Sequence, residues 1–211
     1  MHFLIVALVL FTIPHLGRAD DLNLKGFQKL FNGKDLTGWK ATRNSKVWTA
    51  EDGMIVVKGG GGGFLMTEET FSDFELYFQW RTLKKKGNSG VALRAPLRGD
   101  PSRTGMEIQL IDDLNWKGLR NYQHTGSIYG VVPAAKISTK PVGQWNAMRI
   151  IAKGPMVKVI HNGVTLVDAD ISKVKPVDNK NHPGLKRKSG HVGFQSYNIR
   201  IEFRKVMIKK L

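Results

Sequence analysis

The sequence contains no cysteine in 211 residues. Disulfides, a thiolate nucleophile, Cys-based zinc or iron–sulfur sites and lipobox lipidation are therefore excluded. Acidic residues are scarce, with 17 Asp and Glu against 33 Lys and Arg, a formal charge of +16. Such a balance suits an anionic surface or polymer. The basic residues are nevertheless spread along the chain, with small clusters only at 84–86, 186–188 and 209–210. No nucleic-acid motif accompanies them, so the expected readings are a solvated basic surface or contact with anionic polysaccharide or cell envelope. Helical periodicity is weak throughout. No phosphate loop, dinucleotide fingerprint, H-E-x-x-H or Ser–His–Asp arrangement is present. The five glycines at 59–63 lack the strand-to-helix context of a phosphate loop and are read as a plain loop.

Long apolar runs are missing too. The longest, residues 3–13, is broken only by Thr12, and a membrane helix takes about 20 residues. Its length fits the apolar core of a signal peptide. Gly17 and Ala19 supply small residues at −3 and −1, so cleavage is expected before Asp20, although the leading Met1-His2 carries no Lys or Arg. The expectation is residues 1–19 as signal peptide and 20–211 as one exported domain, periplasmic or extracellular, with no integral membrane segment.

What is present is a succession of short alternating segments. Residues 71–82 put Phe74, Leu76, Phe78 and Trp80 on one face and Glu75, Tyr77, Gln79 and Arg81 on the other. Residues 48–57 read as two strands around Glu51-Asp52-Gly53, and 156–167 as a hairpin with Asn162-Gly163 in a type I′ turn. Further strands are expected at 126–132, 145–153, 191–194 and 199–208, with a long polar connection at 172–189. Trp39, Trp48, Trp80 and Trp145 are expected in the core. Many short strands with little helix predict an all-β, two-sheet antiparallel sandwich or jelly roll.

The most informative stretch is 88–113, N-S-G-V-A-L-R, a loop, then G-M-E-I-Q-L-I-D-D. A period of two sends Ile108 and Leu110 to a core and leaves Glu107 and Gln109 on the opposite face, about 7 Å apart along the strand. A neighbouring strand from Gly90 would bring Asn88 or Arg94 alongside. A carboxylate and a carboxamide on a rigid strand can form a site; they can also be an ordinary solvated face.

Taken together, the motifs at 26–39, 71–76, 88–94, 105–113, 125–130, 193–195 and 203–209, with W-N at 145–146 and N-G at 162–163, occur in one order. The chain thereby resembles the bacterial 3-keto-disaccharide hydrolase domain family over residues 26–211. The resemblance implies a concanavalin-like jelly roll with one sheet curved around a carbohydrate cleft, and action on glycosides with a ketone at C3. It places Glu107, Gln109, Asp112, Asn88, Arg94 and Gln195 nearest that cleft. Two departures stand out: Met106 where the family often has Tyr, and Ser196-Tyr197 where it often has an acid and a His.

Two-carboxylate hydrolysis fits poorly. Gln109 replaces a middle acid, and Asp112 lies at an odd offset from Glu107, so only a bulge would bring it to the same face. A 3-keto sugar offers another route. A base removes the acidified C2 proton, the C1 aglycone leaves, and water adds to the enone. Glu107 is the expected base or a ligand to a divalent ion. Arg94, or a metal held by Glu107 with Asp112 or His124, would stabilise the enolate. Trp116 and Tyr129 could stack on a sugar ring. The alternative is a non-catalytic glycan-binding module, perhaps for anionic polysaccharide.

Overall fold

A computed structural model describes residues 24–61 and 63–211; the signal peptide expected at 1–19 lies outside them. The strands are β1 (Gln28–Lys29), β2 (Trp39–Ala41), β3 (Trp48–Glu51), β4 (Met54–Val57), β5 (Gly63–Phe71), β6 (Phe74–Thr82) and β7 (Asn88–Ala95). A one-turn helix, α1 (Pro101–Thr104), precedes β8 (Met106–Ile111). Then follow β9 (Asn146–Lys153), β10 (Met156–His161), β11 (Val164–Asp170), β12 (Gly190–Ser196) and β13 (Ile201–Lys210). They form the expected two-sheet antiparallel sandwich. The larger sheet runs β11-β10-β9-β6-β13-β4-β3, with β1 on β13; the smaller runs β2-β5-β12-β7-β8.

The hairpins follow their turn residues. Asp52-Gly53 and Asn162-Gly163 all have positive φ, the geometry whose twist suits two-residue hairpins. Phe74, Leu76, Phe78 and Trp80 of β6 are fully buried between the sheets. Phe194 of the smaller sheet stacks on Phe203 of the larger at 4.1 Å and meets Phe78 edge-on at 5.2 Å. This aromatic joint fixes β12, and so the position of neighbouring Gln195.

The outer face of the larger sheet is a charged lattice rather than a bare polar surface. Arg149 pairs with Glu75, and Arg81 and Arg200 both bind Glu202. Trp145 belongs here: the guanidinium groups of Arg81 and Arg204 lie 4.4 and 4.0 Å from its ring. The core position expected for Trp145 is thus corrected. It stands just before β9, where these cations cover it from outside.

His161 is fully buried between Trp80 and Ser138. The Trp80 indole N–H donates to its Nε2 at 3.3 Å, so Nδ1 carries the proton and donates to the Ser138 hydroxyl at 2.7 Å. Burial, with the Lys140 charge, pushes its pKa down to about 3. The depressed value makes the imidazole a source of acid lability. Below the unfolded value near 6.5 the unfolded chain takes a proton that the native state refuses, costing about 1.4 kcal/mol per pH unit. In urea unfolding from pH 7 to 4.5 the native protein should lose stability relative to His161→Phe; a gap between the two that does not change with pH would exclude His161 as a source of acid lability.

Candidate active site

The site lies on the outer face of the smaller sheet. In β7 and β8, Gly90 stands opposite Gln109 and Ala92 opposite Glu107. Ile108 and Leu110 point into the core, as alternation requires. Glu107 and Gln109 therefore project outward together, with Asn88 and Gln195 from the neighbouring strands. Edge strand β8 is capped by residues 126–129. Gln109 N–H donates to Ser127 O, Gly126 N–H to Gln109 O and Tyr129 N–H to Glu107 O. The strand expected at 126–132 is reduced to isolated bridges at Ile128 and Val132, because the chain turns back on itself there.

These side chains line a cleft of about 400 Å³, within the roughly 300–1,000 Å³ range of small-molecule sites. Trp116, Leu119, Gln123 and Tyr129 form one wall, and Asp100, Ser102, Arg103, Asp178, Lys180 and His182 another. Glu107 is only 4 % exposed. Burial, and secondarily the Asp100 charge, raises its pKa to about 8. No hydrogen bond or ion pair reaches its side chain among the described residues. Gly90 makes room for it: a Cβ there would lie 1.9 Å from Glu107 Oε1.

Gln109 Nε2 donates to Asn88 Oδ1 at 3.0 Å. This orientation leaves the Gln109 carbonyl and the Asn88 amide as an acceptor–donor pair for neighbouring hydroxyls. Trp116 lines the cleft, and its indole N–H is buried without a partner among the described residues. Tyr129 lines the same wall, its hydroxyl receiving Gln123 Nε2 at 3.4 Å.

The structure does not bring Arg94, Asp112 or His124 to the cleft. In β7 a bulge separates Ala92, opposite Gly193, from Ala95, opposite His191. Arg94 sits in it at φ +48°. The bulge turns its guanidinium away to Ser72 O, Gly154 O and Asp73, where it ties the turn that crosses from β5 to β6 to the β9–β10 hairpin turn. Asp112 lies beyond the end of β8 and accepts from Lys86 N–H and Asn115 Nδ2. His124 pairs with Asp113 at 2.9 Å, and Asp113 also accepts from Thr139, clamping the loop at 112–125. The metal set of Glu107, Asp112 and His124 is thus not assembled. Among the described residues no group of three or more His, Asp or Glu is arranged to hold an ion.

The wall containing His182 and Asp178 was not anticipated. It comes from the polar connection at 172–189, which has no periodicity to read. Gly184 packs onto the backbone of Gly105, where a Cβ would fall 2.0 Å from the carbonyl oxygen. That contact delivers His182 to Ser102 O (3.0 Å) and Asp178 (3.0 Å). Burial pushes the Asp178 carboxyl up, but the Lys180 N–H and His182 outweigh it and hold it below the ordinary value. With both ring nitrogens engaged, by Ser102 O and by Asp178, His182 fixes the wall. The available signal was the pair of small residues, Gly105 and Gly184, flanking α1 and following His182.

Residues 26–209 match the family described as the 3-keto-alpha-glucoside-1,2-lyase-like domain. The chain belongs to this family. A curated relative from Bacteroides thetaiotaomicron, named 3-keto-disaccharide hydrolase, is 30% identical over 159 residues. That alignment covers 63% of this chain and 54% of the relative, so the match spans about half the relative's length. The crystal structure of a candidate glycosyl hydrolase from Parabacteroides distasonis superposes with TM-score 0.75 at 29% identity, covering 89% of this chain and 94% of that one. A carbohydrate-binding module from Bacillus subtilis shares the fold alone: TM-score 0.56, 13% identity, 82% and 95% covered. In this member of the 3-keto-glucoside lyase-like family, the conspicuous polar cleft on the smaller sheet contains Glu107.

Proposed function

We propose that this protein is a carbohydrate-active enzyme that cleaves 3-keto glycosides by elimination followed by hydration. The family match and the name of the Bacteroides relative support the substrate class. The observation that carries the mechanism is the Glu107 carboxyl: buried, without a protein partner among the described residues, and raised to about 8.

A carboxylate whose conjugate acid has so high a pKa is a strong base for its type. In its ionised form Glu107 takes the C2 proton, made acidic by the C3 ketone. The C–H electron pair forms the C1=C2 bond and the C1–O bond breaks. The aglycone oxygen leaves with its electron pair and takes a proton. Water then adds its oxygen to C1 and a proton to C2, so the net change is hydrolysis. Charge develops on the C3 oxygen during the first step. The Asn88 amide supplies a donor, and Arg103 and Lys180 supply positive charge along the cleft. Gln109 orients the sugar.

Proton NMR of a 3-keto disaccharide should show loss of substrate with a transient enone. Since the base must be ionised, kcat/KM should rise about tenfold per pH unit up to an inflection near 8. Asp100→Asn removes a neighbouring negative charge, while Asn can still cap α1; it should move that inflection down. Activity that instead falls through pH 8 would make Glu107 the acid that protonates the aglycone. No turnover at any pH would favour the glycan-binding module. The same reading includes export, with residues 1–19 removed; mass spectrometry of the secreted chain should find Asp20 at its start.

A further inference from the structure

Beside the Glu107 cleft lies a second groove of about 360 Å³. The two share Asp100, Gln195 and Tyr197 in their linings, so they lie side by side. We propose that this groove is a further saccharide subsite, and that the substrate is an oligosaccharide extending beyond a disaccharide on the aglycone side. This rests on the proposed 3-keto glycosidase reading of the cleft.

Three observations support it. Tyr197 follows Gln195 by two residues, continuing the outer face of β12 past the strand end, and is 52% exposed at the junction of the two cavities. An exposed aromatic ring between two polar cavities offers an apolar face for the C–H side of a pyranose, with its hydroxyl at the edge. Second, the groove is lined by hydrogen-bonding groups of both signs, Arg43 and Asp100. That pairing suits the hydroxyls of a neutral sugar better than it suits an anion alone. Third, the groove wall is closely packed and so of fixed shape: Gly63 lines it at φ +82°, where a Cβ would come within 2.6 Å of Thr42 Oγ1, and that oxygen accepts from Phe64 N–H.

The test compares maltose and maltotriose, each carrying the ketone at C3 of the non-reducing ring. It reads the ratio of their kcat/KM values. The native protein should favour the trisaccharide. Tyr197→Ala should lower the ratio about tenfold, the scale of one lost aromatic contact. Arg43→Ala, an exposed position that lines the groove alone, should lower it by about threefold. A ratio unchanged in both variants overturns the proposal. Binding of unoxidised maltotetraose, followed by saturation-transfer NMR, separates this outcome from failure of the enzymatic reading. If no 3-keto sugar is turned over but the native protein binds the tetrasaccharide and Tyr197→Ala does not, the subsite stands without the enzyme. If the native protein binds no tetrasaccharide and shows no preference for the trisaccharide, the groove is not a subsite.

Discussion

Glu107→Gln should lose roughly 10³-fold in kcat/KM on a 3-keto disaccharide and yet be more stable than the parent at pH 8. Both effects have one cause. The native state holds the carboxyl in a place that disfavours its charge, with a pKa near 8 against an ordinary value of 4.5. Below pH 4.5 both folded and unfolded chains are protonated, and the group is neutral to stability. Between 4.5 and 8 the unfolded chain ionises while the folded chain does not. Stability then falls by about 1.4 kcal/mol per pH unit, and above 8 the deficit is complete. Glutamine cannot ionise, so the variant escapes a loss on the order of several kcal/mol at pH 8 and gains nothing at pH 4. Urea unfolding of both proteins at the two pH values measures the difference. A stability gap independent of pH would show that Glu107 titrates normally, and the mechanistic role would lose its physical basis. Full turnover by the variant would remove Glu107 from the chemistry outright.

Gly90→Ala should cost on the order of 10²-fold in kcat/KM without loss of stability. The added methyl would lie 1.9 Å from Glu107 Oε1 and 2.7 Å from its Cδ, so the carboxyl must swing aside. Displacement of a reacting group by about 1 Å carries a penalty of that size. The β7 backbone itself loses nothing, because Gly90 is not in the left-handed region. Alanine is even favoured over glycine in a strand interior, by about 0.5–1 kcal/mol. The variant should therefore fold normally, lose mainly kcat, and show a shifted pH inflection. Full turnover would mean that Glu107 reaches its substrate from another rotamer.

These predictions concern residues whose placement was legible from pattern. Alternation put Glu107 and Gln109 on one face, and Asn162-Gly163 and Asp52-Gly53 announced their hairpins. Legibility stopped where the pattern did. Arg94 keeps the parity of Asn88 in the sequence, but a bulge changes its direction, and nothing in N-S-G-V-A-L-R marks the extra residue. Asp112, Asp113 and His124 are close in sequence because they clamp one loop, and that closeness imitated a ligand set. The opposite error hid His182 and Asp178. They lie some 70 residues from Glu107 in the chain and reach the cleft only through the backbone contact of Gly184 with Gly105. Aperiodic loops are placed by such long-range packing, which one local window does not contain.

The position of β13 has a consequence for biogenesis. It lies inside the larger sheet, between β6 and β4, and also receives β1. Until residues 201–210 leave the ribosome, that sheet is two unjoined halves with open edges. Cooperative folding of that sheet must then wait for β13, since these pairings bridge well over a hundred residues. A nascent chain so arranged stays threadable while it is being made, and a truncation that removes the last strand should yield insoluble product instead of a smaller working domain.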